Sequence, residues 1–226
     1  MNREELLKNA KPILLNTEMV KAVLDGRKTQ TRRVIKVDPI MFDNPKVLSP
    51  DSCVKFDFST GGCQNHSAPA NFINSSYTVG DVLWVRETFK PFSNIGMEDE
   101  LVGVTYRADN KSVMYYNKDR KEYVFYEKWK PSIHMPKKYA RIFLKVTDVR
   151  VERLWDISNE DAIKEGVEKI GNTLSDVFYK NYSENQSGFN DPIVSFASLW
   201  NSTAREPFKW DDNPYVFVYE FKRVET

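Results

Sequence analysis

NTEMVKAVLDGRKTQTRRVIK, residues 16–36, reads as a short helix, a tight turn and a strand. Thr17 or Asn16 can cap the helix, with Glu18 in its first turn. Met19, Val20, Val23 and Leu24 recur at helical spacing and make one apolar stripe. Gly26 then stops the helix, because glycine takes the left-handed cap conformation without a Cβ clash. The segment that follows, RKTQTRRVIK from Arg27 to Lys36, carries five cationic side chains and no acidic one. Lys28 and Thr31 stand three residues apart, which on an ideal strand sends them to opposite faces. In a turn, positions three apart converge. The expectation therefore puts Lys28 in the turn and Thr31 at the start of the strand, with Thr31 and Arg33 on one face. A desolvated lysine amine beside a threonine hydroxyl can take the hydroxyl proton and prepare a nucleophile. The plainer alternative is a solvated basic turn, the usual fate of lysine and arginine.

The chain has 226 residues, 41% of them hydrophobic and 13% aromatic, enough for a sizeable core. Its formal net charge is +1, so any attraction to nucleic acid has to come from a local patch. No apolar run approaches the roughly 18–20 residues that span a bilayer, and the charged start MNREELLKNAK lacks a signal-peptide core. The expectation is a cytoplasmic protein without a membrane partner. Cys53, Cys63 and His66 do not fall at a zinc-binding spacing, so the two cysteines read as reduced thiols. No metal and no cofactor is expected.

Outward from the opening stretch, Pro12–Leu15 reads as a short apolar strand. Asp38-Pro39 ends the strand after the basic turn. Residues 39–78 are polar and irregular. Val79-Gly80-Asp81 turns into a strand, Val82 to Phe89, with Val82, Trp84 and Arg86 on one face and Leu83, Val85, Glu87 and Phe89 on the other. Leu101–Arg107 and Glu122–Tyr126 read as the strands of a hairpin-like insertion. Trp129 to Pro136 is expected to be extended, because its two prolines restrict themselves and the residues before them. Such a rigid segment, with Trp129, Ser132 and His134, can line a pocket; a packed crossover with a buried tryptophan is the alternative.

Arg141 to Leu154 is the longest strand signal. Its apolar parity slips from Ile142, Leu144 and Val146 to Val149 and Val151, which predicts a β-bulge near Thr147-Asp148. Ser158-Asn159-Glu160-Asp161 resembles a capping box and opens a helix ending at Gly166. Glu165 sits in its last turn, where a carboxylate meets the negative end of the helix dipole. Either another group holds it there, or it is a solvated surface glutamate. Asp191-Pro192 caps a helix to about Asn201, with Phe196, Leu199 and Trp200 as its apolar side. Tyr215 to Val224 is the last strand, whose aromatic face reads as core. The sum is an α+β protein, strand-dominated with two or three helices.

Gly26-Arg27-Lys28-Thr29-Gln30-Thr31-Arg32-Arg33 resembles the G-x-K-x-x-T-x-R signature of ASCH domains, a PUA-like family. PILLNTEMVKAVLDG, GDVLWVRETF (80–89), WKPSIHMPKKYARIFLKVTDVRVERLWDIS (129–158), EDAIKEGV (160–167) and NPYVFVYEF (213–221) resemble its bacteriophage and prophage branch. The likeness runs from about Lys11 to about Phe221. It implies a single domain over 1–226: a small antiparallel or mixed β-barrel flanked by two to three helices, with insertions at about 37–78, 90–130 and 167–190. It also implies RNA, or a nucleoside or nucleotide, as ligand.

One branch of that family hydrolyses N4-acetylcytidine with a lysine, a threonine and a glutamate. Lys28 and Thr31 match its K-x-x-T, and Glu165 matches its glutamate within DAIKEG. By that resemblance Thr31 attacks the amide, Lys28 takes its proton, and Glu165 serves the leaving amine. Arg27, Arg32 and Arg33 would meet charge on the ligand. Trp84 and Arg86 on one strand, the segment with Trp129, Ser132 and His134, and Arg141 complete the expected ligand-facing set. The hydrolase branch lacks the three insertions. Two other classes therefore stand beside the amidohydrolase: a binding module for RNA or a modified nucleotide, and a phage protein acting on a host protein through an exposed apolar patch.

Overall fold

The computed structural model describes residues 3–36, 46–47, 56–57, 75–93, 101–116, 128–172, 177–183 and 188–225. The protein is mixed α+β. In chain order the elements are α1 (Arg3–Asn9), β1 (Lys11–Leu14), α2 (Thr17–Leu24), β2 (Gln30–Val34), β3 (Lys46–Val47), β4 (Phe56–Asp57), β5 (Val82–Arg86), β6 (Phe89–Ser93), β7 (Leu101–Tyr106) and β8 (Ser112–Tyr116). Then come β9 (Phe143–Arg153), α3 (Asn159–Lys164), β10 (Lys169–Asn172), β11 (Val177–Tyr179), α4 (Pro192–Thr203) and β12 (Tyr215–Val224). Cys53, Cys63, His66 and the expected strand Glu122–Tyr126 lie outside the described residues. Among the described residues no helix is long and apolar enough to cross a membrane. The contacts fall into two compact units.

The first unit is Met1–Asp25, Val82–Leu144 and Arg223–Thr226. Here β1 and β5 pair in parallel, Lys11 opposite Leu83 through Leu14 opposite Arg86. Helix α1 lays Leu6 onto Ala10, Trp84, Ala140 and Phe143. Helix α2 is capped by Asn16, whose side chain accepts the Met19 N–H at 2.8 Å, and Gly26 beyond it has φ +76°, the left-handed value expected.

The expected strand 82–89 is broken. At Glu87 the backbone N–H turns to the Met135 sulfur, and Phe89 begins a second, antiparallel sheet, β6-β7-β8. That sheet packs Phe89, Val104 and Tyr106 against Met135 and Tyr139. Strand β8 was not foreseen. Nor is 129–136 simply extended: Pro131 and Pro136 each lead into a single 3-10 turn, Ser132–His134 and Lys137–Tyr139. Proline fixes the extended conformation of its own residue at the start of such a turn, not of those after it.

The second unit is Gly26–Asp81 and Lys145–Lys222. Its strands run in the order β9-β12-β2. The pair β12/β2 is antiparallel, from Val216 opposite Val34 to Glu220 opposite Gln30. Along β9 the buried residue Val146 gives way to Val149 and Val151, which pack with Tyr77 and Tyr215 on a cluster of Ile35, Phe217 and Tyr219. The apolar parity thus changes in the packing as it does in the sequence, while β9 runs as one strand from Phe143 to Arg153 through Thr147-Asp148, where a bulge was expected.

Ser158 caps α3 by accepting the Asp161 N–H at 3.1 Å, and Gly166 closes it at φ +96°. Asp191 caps α4, which buries Phe196, Leu199 and Trp200 as its pattern requires. The insertion expected at about 167–190 holds the hairpin β10/β11. Among the described residues no set of strands closes into a barrel.

Candidate functional site

The basic stretch is largely withdrawn from solvent, with Lys36 at its end exposed. Lys28, Thr31 and Arg32 are 4%, 2% and 2% exposed, and Glu165 is 3% exposed. Backbone bonds explain how they reach the interior. The Thr29 N–H donates to the Lys164 carbonyl at 2.9 Å, and the Thr29 carbonyl accepts the Phe221 N–H at 2.8 Å. The pairing of β2 with β12 is thus carried back to Thr29, and α3 is tied to its start. Lys28 therefore sits past the turn, on extended chain, and strand alternation applies to it.

Two faces result. On one, Lys28 Nζ donates to the Glu165 carboxylate at 2.9 Å and to the Glu165 carbonyl at 2.8 Å. Arg32 donates to Glu165 at 3.1 Å, to Glu152 at 2.8 Å and to Asp161 at 3.2 Å. Arg150 of β9 joins the same carboxylates, reaching Glu152 at 2.5 Å and Asp161 at 3.0 Å, and it also reaches Glu220 at 2.8 Å and the Gln30 side chain at 3.2 Å. Burial pushes the Lys28 amine down from its ordinary value despite the attraction of Glu165. The Arg150 guanidinium is held above its ordinary value, its carboxylate partners outweighing desolvation.

Burial is also the answer to Glu165. Two cations hold it at the unfavourable end of its helix, so it is no solvated surface glutamate. Arg32 has its terminal nitrogens on carboxylates and its Nε buried with no partner. Its expected role as a ligand contact is corrected to that of a buried counter-charge. Arg27 donates to the Gly166 and Val167 carbonyls at 2.8 and 3.4 Å, satisfying groups beyond the end of α3.

On the other face stand Thr31 and Arg33, opposite Tyr219 and Phe217 in the ladder, and residues directly opposite share a face. The Thr31 Oγ accepts from Arg33 at 3.1 Å. The Tyr77 ring meets Tyr219 edge-on at 5.0 Å, and Phe217 stacks on Tyr219 at 5.9 Å. The Tyr219 hydroxyl lies 2.8 Å from Ser75 Oγ. Burial pushes both tyrosine hydroxyls up, while the charge of Arg33 pulls them down, which places the guanidinium within electrostatic reach of both. The structure therefore joins Lys28 to Glu165 and Thr31 to Arg33, with no hydrogen bond between Lys28 and Thr31. Tyr77 and Ser75 were missed because they sit in a polar stretch without periodicity. The one signal was an isolated tyrosine just before the Val79-Gly80-Asp81 turn.

The remaining expected residues belong to the first unit. Trp84 is 6% exposed in the core cluster with Leu6, Ala140 and Phe143, so its role is packing and not base stacking. Arg86 lies over the Trp84 ring and donates to the Ile133 carbonyl. The half-buried Trp129 ring has Lys90 at 5.5 Å and Arg107 at 5.7 Å from its centroid. Ser132 is half-buried and His134 exposed.

Arg141 is bidentate to Glu87 at 2.8 Å and also donates to Asp109 at 2.8 Å, above the Tyr106 ring. It is corrected from a ligand contact to the centre of an ion-pair cluster. Burial pushes the Glu87 carboxyl up even so. Searches of the chain against protein-family models, curated proteins and solved structures find no match.

Proposed function

We propose that this protein binds a nucleoside or nucleotide, or RNA through one, on the face of β2 that carries Thr31 and Arg33. The proposal includes an ASCH-type, PUA-like barrel architecture and action in the cytoplasm of a bacterium or phage-infected cell. The observation that carries it is the Thr31 hydroxyl held by Arg33 beside two tyrosines. Within that set the half-buried Arg33 and Tyr77 would offer a planar heterocycle a cation and an aromatic surface at once, on the buried Thr31 and Tyr219. The resemblance of residues 26–33 to the G-x-K-x-x-T-x-R signature supports the same face.

The amidohydrolase is the second reading, favoured by a buried Lys28 amine next to Glu165. In that reaction Thr31 Oγ bonds to the acetyl carbonyl carbon of N4-acetylcytidine while Lys28 takes the hydroxyl proton. The C–N bond then breaks, with a proton passing from Glu165 to the amine, and water hydrolyses the threonine ester to acetate. It requires Lys28, now committed to Glu165, to reach Thr31. Binding without turnover is therefore the reading that the geometry supports best.

Incubation with N4-acetylcytidine separates the two. Binding without acetate release is expected. Acetate release abolished by both Thr31→Ala and Lys28→Ala replaces the binding reading with the hydrolase.

A further inference from the structure

The half-buried Tyr77 is the accessible partner of an aromatic pair, since Tyr219 beneath it is 1% exposed. Its position is fixed from three sides. Ser75 Oγ donates its proton to the Tyr77 carbonyl at 2.6 Å and accepts the Tyr77 N–H at 3.3 Å. A serine hydroxyl has one proton to give. In the 2.8 Å contact between Ser75 and Tyr219, the tyrosine is therefore the donor. Tyr219 thus latches the Ser75–Tyr77 segment while its ring meets the Tyr77 ring edge-on at 5.0 Å and 70°. A ring held this way loses little freedom when a second ring lies on it.

We infer that Tyr77 is a ligand-binding residue on which a flat heteroaromatic ring stacks, with the ring's acceptor edge turned to the half-buried Arg33. This rests on the nucleoside reading above and adds to it the surface that selects for a base. The ligand class is a single-ring or fused heterocycle carrying a carbonyl oxygen. A sugar phosphate alone lacks the part that Tyr77 would hold.

The experiment is calorimetric titration of the full chain with cytidine, N4-acetylcytidine and ribose 5-phosphate, for wild type, Tyr77→Phe, Tyr77→Leu and Ser75→Ala. Stacking on one aromatic ring predicts that Tyr77→Phe binds within about twofold of wild type and that Tyr77→Leu, which keeps apolar bulk, binds about 10-fold weaker or worse. Ser75→Ala should fall between them, and ribose 5-phosphate should not bind. A nuclear Overhauser contact between cytidine ring protons and the Tyr77 ring in wild type is expected as well, and needs no variant to fold. Cytidine binding that Tyr77→Leu leaves unchanged, or that shows no such contact, overturns this inference alone. A wild type that binds no nucleoside overturns the functional reading with it.

Discussion

Arg32 and Arg33 are neighbours in the chain and opposites in the fold. Arg32 is buried, its terminal nitrogens divided among Glu152, Asp161 and Glu165. Arg33 is half-buried on the opposite side of β2, with its guanidinium on the Thr31 hydroxyl. A run of five cations reads in sequence as one basic surface. Strand β2 sorts Arg32 and Arg33 by parity onto a structural face and onto the face proposed above for a ligand. Two of the five, Lys28 and Arg32, serve as internal counter-charge for carboxylates of β9 and of α3 and its end.

The largest expected effect is on the structural face. Arg32→Met leaves Glu165 and Asp161 short of a buried partner, and should cost about 3–5 kcal/mol in urea unfolding. A loss below about 1 kcal/mol would mean that these charges are solvated. Lys28→Met comes next and carries a pH signature. The folded amine titrates below the ordinary 10.5 of an exposed lysine, so between those two values the unfolded chain binds the extra proton. Stability from this group therefore rises with pH through that window and levels off above it. The wild-type stability profile minus that of Lys28→Met should climb as pH approaches 10.5. The raised tyrosines act in the opposite sense above their ordinary value, and the subtraction removes them.

Smaller effects belong to the proposed ligand face. Thr31→Val deletes an acceptor from a charged donor and should cost about 1.5 kcal/mol of stability, the low end for such a bond. If RNA binds at all, the slope of log affinity against log salt should be near −1 or flatter, since each neutralised phosphate on a single strand contributes about −0.7. A slope of about −3 would put several cations of the basic run on phosphates and dissolve the distinction between the faces. Smallest of all, Lys36→Ala at an exposed position should change stability by less than about 0.5 kcal/mol.

Much of the fold was legible where periodicity was strong. The α2 and α3 caps at Asn16 and Ser158, the Gly26 stop, the α4 stripe and the full extent of β12 follow from local rules. The break at Glu87 was not, because Leu83, Val85, Glu87 and Phe89 are all buried and keep perfect alternation. A tertiary bond to Met135, distant in sequence, ends that strand. The same limit applies to the site. Lys28 and Glu165 were named from sequence, and they touch. The placing of Lys28 in the turn was not kept, because a backbone bond from Thr29 to α3, invisible in the sequence, stretches the chain there. Tyr77 belongs to no periodic pattern, and its packing on Tyr219 and its bonds to Ser75 are what distinguish it.

The separation of two adjacent arginines is tested most directly by urea unfolding of Arg32→Gln beside Arg33→Gln under one set of conditions. Arg32→Gln should lose at least about 2 kcal/mol more than Arg33→Gln, since only the first uncovers buried carboxylates. Equal losses, or a larger loss for Arg33→Gln, would contradict the assignment of Arg32, and not Arg33, to the structural face of β2.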